Sequence, residues 1–311
     1  MTCESMRERW GLILAGGEGT RLRPVTRAIS DDNRPKQFCA VLGDETLLEQ
    51  TRRRAALAVP PDRTMLVLMR SHERFYRPLI AGIPAHCALV QPEDRGTAAA
   101  ILYGLLRIAA LAPMGSVAIF PADHYVSDDA RFMSHVTAAF AAAQVRHDLV
   151  VLLGIEPESA ETQYGWVERA EPIAATPLFR VGRFVEKPSK AVAQMLLERG
   201  CLWNSFVMVG RIAAFLAMIR HEAPALDAAF ATVGKTLGTT GEGVAVRRLY
   251  RELSPWSFSD GVLAARPANL AVLPVRGVRW SDLGAPERVM ETLARLGVTP
   301  AWAERLATQS A

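Results

Sequence analysis

Leu14–Lys36 reads LAGGEGTRLRPVTRAISDDNRPK, and the short apolar run Trp10–Leu14 feeds directly into it. A strand ending in closely spaced glycines lets successive backbone N–H groups approach an anion and form a concavity around it. Arg21 and Lys36 add two fixed positive charges to the same loop. The combination suits a polyphosphate whose charge must be held while one of its bonds breaks. The chain has four lysines against thirty-two arginines, which sets a lysine at this place apart. The loop is neither of the two common phosphate motifs. Leu22 stands where the third Gly of a dinucleotide fingerprint would be, and the loop lacks the G-x-x-x-x-G-K-[ST] of a P-loop. Gly234-Lys235-Thr236 looks like the end of a P-loop, but Ala229 replaces its first Gly. Taken alone, Gly16, Gly17 and Gly19 fit an ordinary strand-to-helix turn equally well.

Outward from this loop, strand-like and helical runs alternate. Trp10–Leu14, Thr64–Met69, Cys87–Val90, Ser116–Phe120 and Leu149–Leu153 are short and apolar. Helical patterns near Thr46–Leu57, Ser71–Ala81, Gly96–Ala112 and Asp129–His147 lie between them. The alternation predicts an α/β fold, a doubly wound and mostly parallel sheet with helices on both faces. Ligands of such sheets bind beyond the carboxyl ends of the strands. The loops Gly16–Lys36, Gln91–Thr97 and Pro121–His124 each follow such an end, so they converge on one crevice. The second half is more mixed. Trp166–Arg169 and Phe179–Val185 read as paired strands, Trp203–Val209, Leu270–Pro274 and Val278–Trp280 as further strand-like runs, and Arg211–Arg220, Val246–Leu253 and Pro286–Leu296 as helices. No linker is visible, which predicts a single domain over 1–311. Its parts are a first half (about 10–155), a mixed second half with a substrate-binding subregion (about 156–290) and a helical tail (291–311).

Half of the 311 residues are hydrophobic, enough for a large core. No apolar run is long enough to span a bilayer, and Met1–Arg9 is polar and leads into a strand, so neither a membrane segment nor a secretory signal is expected. Cys3, Cys39, Cys87 and Cys201 are scattered without CxxC spacing, which predicts reduced thiols, a cytoplasmic setting and no zinc site. The net charge of +4 is spread along the chain among acidic residues. Arg52-Arg53-Arg54 shares a predicted helix with Glu49 and has Glu45 just ahead of it, so it reads as a solvated face. A small anionic substrate accounts for the excess, and no nucleic-acid-binding motif is present.

Eight ordered motifs, LAGGEGTRLRP, RPKQF, QPEDRGTAAAI, FPADHYV, YGWVERA, FVEKP, LWNS and WSDLG, run from Leu12 to about Val289. In this order the chain resembles the sugar-phosphate nucleotidyltransferases. PKQF, ADH and LWNS make it most similar to their mannose-1-phosphate guanylyltransferase branch. The resemblance implies a Rossmann-like nucleotidyltransferase fold and a reaction of NTP with sugar-1-phosphate to give NDP-sugar and pyrophosphate, with Mg2+. The implied substrates are GTP, or another NTP, and a sugar-1-phosphate, mannose-1-phosphate first. Two anions must meet, so such catalysis is mainly charge neutralisation and alignment.

By the same resemblance the first half (about 10–155) is nucleotide-binding and the second (about 156–290) sugar-phosphate-binding. Gly16, Gly17, Gly19 and Thr20 hold the triphosphate, with Arg21 on the departing phosphates and Lys36 beside the α-phosphate. Gln91, Gly96 and Thr97 meet the nucleobase. Lys187 pairs with the phosphate of the sugar phosphate, Glu186 and Asn204 bond its hydroxyls, and Tyr164-Gly165 brings backbone close to the ring. Asp123 and Asp282 hold the metal, while His124 is structural. Each has a plainer reading: a turn or capping Asp, a surface Glu-Lys pair before a helix start at Pro188-Ser189, a turn-forming Asn.

Several positions depart from the family pattern. Gln91 replaces a common Glu, and an amide suits uracil or thymine at least as well as guanine. The loop between Arg21 and Lys36 is lengthened around Ser30–Arg34. Phe206 follows LWNS where Gly is usual, and Ala265 replaces a Glu after Asp260. The given sequence ends soon after the WSDLG helix, so the β-helix or cupin of longer relatives is not expected in it. A homodimer stays open. The alternatives are another NTP and sugar-1-phosphate pair, or a catalytically weak nucleotide-sugar sensor. A nicotinamide oxidoreductase is disfavoured by Leu22.

Overall fold

The structure is a computed structural model that describes residues 8–303 and Leu306. The N-terminal Met1–Arg7, with Cys3, and the far end of the expected tail lie outside the described residues. In chain order the strands are β1 (Arg9–Leu14), β2 (Thr64–Met69), β3 (Ala88–Gln91), β4 (Ser116–Pro121), β5 (Tyr125–Val126) and β6 (Val150–Ile155), then β7 (Gly165–Pro172), β8 (Phe179–Glu186), β9 (Leu202–Arg211), β10 (Leu270–Val275) and β11 (Trp280–Ser281). Nine of them form one sheet in the order β3-β2-β1-β4-β9-β6-β10-β8-β7. Neighbours β3, β2, β1 and β4 are parallel, as are β6 and β10. Only β8 and β9 run against the rest, so the sheet is mostly parallel in direction and mixed in its second half.

Residue alternation explains why the sheet is covered twice. Ile13, Leu66, Leu68, Ala118 and Phe120 belong to one buried cluster, and Leu12, Met65, Val67, Val117 and Ile119 to another. Successive side chains of a strand point to opposite faces, and a parallel strand must bury both. The helix Asp129–Val145 covers the first face with Phe132, Val136 and Phe140; Gly96–Leu111 covers the second with Ile101, Leu105 and Ile108. The doubly wound arrangement expected from the alternating runs is what the residues form.

From β1 the chain builds outward through β2 and β3, then returns to place β4 on the other side of β1. This reversal is the topological switch point, where the carboxyl ends of β1 and β4 leave a crevice between their loops. The small antiparallel pair of β5 with β11 (Trp280 opposite Val126, Ser281 opposite Tyr125) adds to it. That register brings Asp123, two residues before β5, and Asp282, just after β11, to the same end of the crevice.

Three features differ from the sequence reading. The helix expected over Ser71–Ala81 lasts only for Glu73–Tyr76, because Pro78 has no N–H to continue it. Arg23–Ser30 is a helix with Pro24 in its first turn, a position proline tolerates, so the lengthened loop is largely ordered helix. Its C-cap Asp31 is left-handed, and the Asp32 carboxylate accepts from the Arg34 backbone N–H (3.0 Å) and guanidinium Nε (2.9 Å). Pro224–Gly234 is a further helix that the sequence reading left unassigned. The helices Arg23–Ser30 and Pro286–Leu296 meet in a third cluster through Val25, Ala28, Val289 and Leu293. Cys39, Cys87 and Cys201 are free and buried. No helix among the described residues is long and apolar enough to cross a membrane.

Candidate active site

All sixteen residues singled out for chemistry line one cleft of about 600 Å3 at the switch point. They come from the β1 loop (Gly16, Gly17, Gly19, Thr20, Arg21), the turn at Lys36, and the β3 end (Gln91, Gly96, Thr97). The β4 end supplies Asp123, the second half Tyr164, Gly165, Glu186, Lys187 and Asn204, and the β11 end Asp282.

The glycine loop is held from below. Gln37, buried behind it, donates from Nε2 to the carbonyls of Ala15 (3.0 Å) and Gly17 (2.8 Å). Those two carbonyls are thereby turned inward and bonded to the protein. Gly19 adopts φ 58°, a left-handed turn natural to glycine, before the short 3₁₀ turn Thr20–Leu22 that carries Arg21. Arg21 is exposed and donates to Gln163 Oε1 at 3.4 Å across the rim. Gln37 was not singled out by the sequence reading, although it lies in the RPKQF motif; its role shows only once the loop carbonyls are located.

Lys36 is buried and held by three acceptors from distant segments. Its Nζ lies 3.3 Å from Asp123 Oδ2, donates to the Leu283 carbonyl at 3.2 Å, and donates to the Asp282 carbonyl. The Asp282 carboxylate has its own partners: Oδ1 accepts from Gly284 N–H (2.8 Å) and Arg288 Nε (2.9 Å), while Oδ2 has a longer contact to Arg288 Nη2 (3.3 Å). Burial by itself would raise the pKa of Asp282, but the charges of Arg288 and Lys36 hold it below the usual carboxylate range. Arg288, six residues on, is a partner that sequence reasoning missed; its place in the first turn of the Pro286–Leu296 helix was the available signal. His124 is pushed down to about 4 by burial, so its imidazole is neutral and sits edge-on to Trp280 (5.1 Å).

The donor chemistry at Asp123 and Asp282 fits Mg2+. Both offer hard carboxylate oxygens, Oδ2 of Asp282 carries only one long contact, and Mg2+ takes few protein ligands beside phosphate oxygens and water. Among the described residues no group of three or more His, Cys, Asp or Glu could form an all-protein metal cage. The cleft lining holds Arg21, Lys36 and Lys187 against Glu18, Asp94, Asp123, Glu186 and Asp282. A polyanion entering it would meet more carboxylates than basic groups, and a divalent cation would redress that balance.

In the second half, Tyr164 is buried as a wall between Trp203 (5.0 Å) and Trp280 (4.9 Å), with the Arg288 guanidinium over its ring at 5.1 Å. Gly165 leaves room for Glu186: a Cβ there would lie 2.8 Å from Glu186 Oε2. The glycine thus lets the Glu186 carboxylate approach its backbone. Burial raises the pKa of Glu186, with Lys187 opposing and Asp260 adding to the rise. Lys187 is exposed, 3.7 Å from Glu186 Oε1. Asn204 Oδ1 accepts from the Phe206 N–H at 3.1 Å, so the turn-forming reading of this residue holds for its oxygen. That turn belongs to a bulge, in which Ser205–Val207 stand opposite Leu153 alone and Ser205 Oγ donates to the Leu153 carbonyl (2.7 Å). Phe206 has φ 59° and Lys187 φ 43°, and Leu283, beside Asp282, has φ 46°. Left-handed backbone at bulky residues is costly and concentrates at functional sites.

The Gln91–Thr97 loop is fastened to the C-terminal half. Gly96, at φ 79°, packs so closely on Trp256 that a Cβ would fall 2.3 Å from its carbonyl oxygen. Thr97 Oγ1 accepts from the Phe258 N–H (2.9 Å), and Ala98 N–H donates to the Trp256 carbonyl (3.1 Å). Gln91 is buried, with Oε1 accepting from the Tyr250 hydroxyl at 2.9 Å.

Residues 10–296 match the nucleotidyl transferase family model. The chain is 30% identical over 277 residues to xanthan biosynthesis protein XanB of Xanthomonas campestris pv. campestris, covering 88% of this chain and 57% of that one. It is 32% identical to the mannose-1-phosphate guanylyltransferase of Sinorhizobium fredii, covering 89% and 53%. The chain thus spans little more than half the length of these relatives. The solved structure of mannose-1-phosphate geranyltransferase from Thermus thermophilus superposes with a TM-score of 0.78 at 32% identity, over 91% of this chain and 79% of that one. The chain belongs to the nucleotidyl transferase family.

Proposed function

We propose that the protein transfers a nucleotidyl group from a nucleoside triphosphate to a hexose-1-phosphate, with GTP and mannose-1-phosphate as the pair, forming GDP-mannose and pyrophosphate. Family membership supports the reaction class, and the relative named mannose-1-phosphate guanylyltransferase supports the pair. The observation that carries the reading is Lys36. A cation fixed by Asp123 and by the Asp282 and Leu283 carbonyls lies beside the glycine loop in a cleft that the second half also lines, which supports a meeting of two phosphates there.

In this reading an oxygen of the sugar phosphate attacks the α-phosphorus of the triphosphate in line, and pyrophosphate departs. The β1 loop offers backbone N–H groups to the triphosphate, and Arg21 at the rim meets the departing phosphates. Lys36 stabilises charge at the α-phosphate; Lys187 holds the acceptor phosphate, with Glu186 and Asn204 toward the sugar hydroxyls. Asp123 and Asp282 would hold Mg2+, which when bound neutralises phosphate charge and fixes the triphosphate's geometry.

The test is pyrophosphate release in Mg2+, crossing GTP, ATP, UTP, dTTP and CTP with mannose-1-phosphate and glucose-1-phosphate. An optimum for GTP with mannose-1-phosphate is expected. An optimum elsewhere keeps the reaction and replaces the substrates. No release from any pair, by folded protein that binds nucleotide, would leave a nucleotide-sugar sensor as the better reading.

A further inference from the structure

Gln91 and Tyr250 lie 159 residues apart, on β3 and on the helix Glu242–Glu252, yet their side chains meet in a buried hydrogen bond. Tyr250 is fully buried, its ring edge-on to Phe230 at 6.2 Å. Gln91 Oε1 is the acceptor within its reach, at 2.9 Å. Burial pushes the phenol's pKa up, so the hydroxyl keeps its proton. A buried O–H needs an acceptor, and turning the Gln91 amide over would set its NH2 group against the phenol and leave that proton unpaired. The Gln91 oxygen is therefore committed to Tyr250, and the NH2 end points the other way. There it lies beside Gly16, close enough that a Cβ on Gly16 would sit 3.1 Å from Nε2. Both Gln91 and Gly16 line the cleft. The same helix is tied to the nucleobase loop through its backbone, since Arg95 Nε donates to the Tyr250 carbonyl (2.6 Å).

We propose that Tyr250 is a positioning residue that fixes the Gln91 amide with its NH2 toward the cleft, so that the site selects a nucleobase bearing a ring carbonyl at that edge. A donor in that place pairs with O6 of guanine or O4 of uracil and thymine. Adenine and cytosine carry an amino group at the equivalent position, which sets donor against donor. Rejecting the wrong base in this way needs no clash, because the buried amide is simply left unpaired. The inference rests on the reading of the cleft as a nucleoside triphosphate site and adds the class of base that it takes.

The experiment compares wild type, Tyr250→Phe, Gln91→Leu and the double variant. For each it reads kcat/KM for GTP, UTP and ATP at saturating mannose-1-phosphate, and the dissociation constants of GTP and ATP by calorimetry. Wild type is expected to favour GTP and UTP over ATP. Tyr250→Phe should lower the GTP-to-ATP ratio by about tenfold, the worth of one hydrogen bond, with KM for the sugar phosphate unchanged. Gln91→Leu should lower it at least as much, and adding Tyr250→Phe to that background should change nothing further, since one residue acts through the other. A merely structural Tyr250 would instead give additive losses with the ratio intact, and that outcome overturns the proposal. So does a wild type that uses or binds ATP as well as GTP and UTP. Should Tyr250→Phe fail to fold, an unchanged ratio in Gln91→Leu overturns it alone. Absence of pyrophosphate release is a separate failure, that of the reaction; the calorimetric ratio then still decides the base.

Discussion

Phe206 shows what one residue contributes against its local preference. An L-residue at φ 59° sets Cβ against the following carbonyl, and a phenylalanine gains nothing there that offsets the strain locally. It is retained because the bulge of β9 requires that backbone, with Asn204 Oδ1 and Ser205 Oγ bonding the turn from both sides. Its half-buried ring packs on the core and lines the cleft. Phe206→Gly and Phe206→Ala remove the same ring contacts, but only glycine releases the left-handed strain. Urea unfolding should therefore find the glycine variant more stable than the alanine variant by about 1 kcal/mol, the reverse of the order in a regular strand. Alanine equal to or above glycine would mean that the bulge does not persist in solution. The sequence marked this position as a departure from the family pattern. What it could not show was the left-handed bulge, which depends on β9 pairing with β6 some fifty residues away.

At the scale of elements, the Gln91–Thr97 loop is a joint between two distant pieces of chain. The helix Gly96–Leu111 begins on Gly96, whose Hα faces the Trp256 backbone, and Thr97 and Ala98 bond the same strap. Gly96→Ala should lose the conformational part of roughly 1–3 kcal/mol for a left-handed alanine, and beyond it the cost of displacing the strap. Gly82 is the control: its φ of 84° is similar, but a Cβ there meets nothing within 4 Å. Gly82→Ala should thus show the conformational part alone, and Gly96→Ala should also raise amide exchange at Trp256 and Phe258. Equal losses in the two variants would mean the strap gives way freely. Elements with one strong period were legible, and the bounds of Thr64–Met69 and Pro286–Leu296 coincide with the expected ones. The segments around Pro24, Pro78 and Pro224 were not, because Pro78 ends a helix where Pro24 and Pro224, like Pro286, begin one, and position within the first turn decides which.

For the whole molecule, the crevice exists because the chain reverses its order at β1 and later inserts β9, antiparallel, between β4 and β6. The three loops expected to converge do so because all follow carboxyl ends of parallel strands, a rule readable from the alternation alone. The insertion of β9 was not readable, since pairing across about ninety residues leaves no local periodicity. Tyr250 was missed for the same reason: it reaches Gln91, 159 residues away in the chain, only after the fold closes. Lys36 draws these long-range connections together, reaching the β4 end through Asp123 and the β11 end through the Asp282 and Leu283 carbonyls. An ammonium can donate along three diverging directions, whereas a guanidinium donates in one plane. Lys36→Arg should therefore fail to restore turnover even though it keeps the charge, with kcat for pyrophosphate release falling as far as in Lys36→Ala. Both variants should also unfold at lower denaturant, by about 1–2 kcal/mol, because a buried carbonyl, a half-buried one and a partly exposed carboxylate lose their donor. Arginine supporting turnover within a few-fold of lysine would show that charge alone is needed at position 36, and that the three-way geometry around it serves the fold and not the reaction.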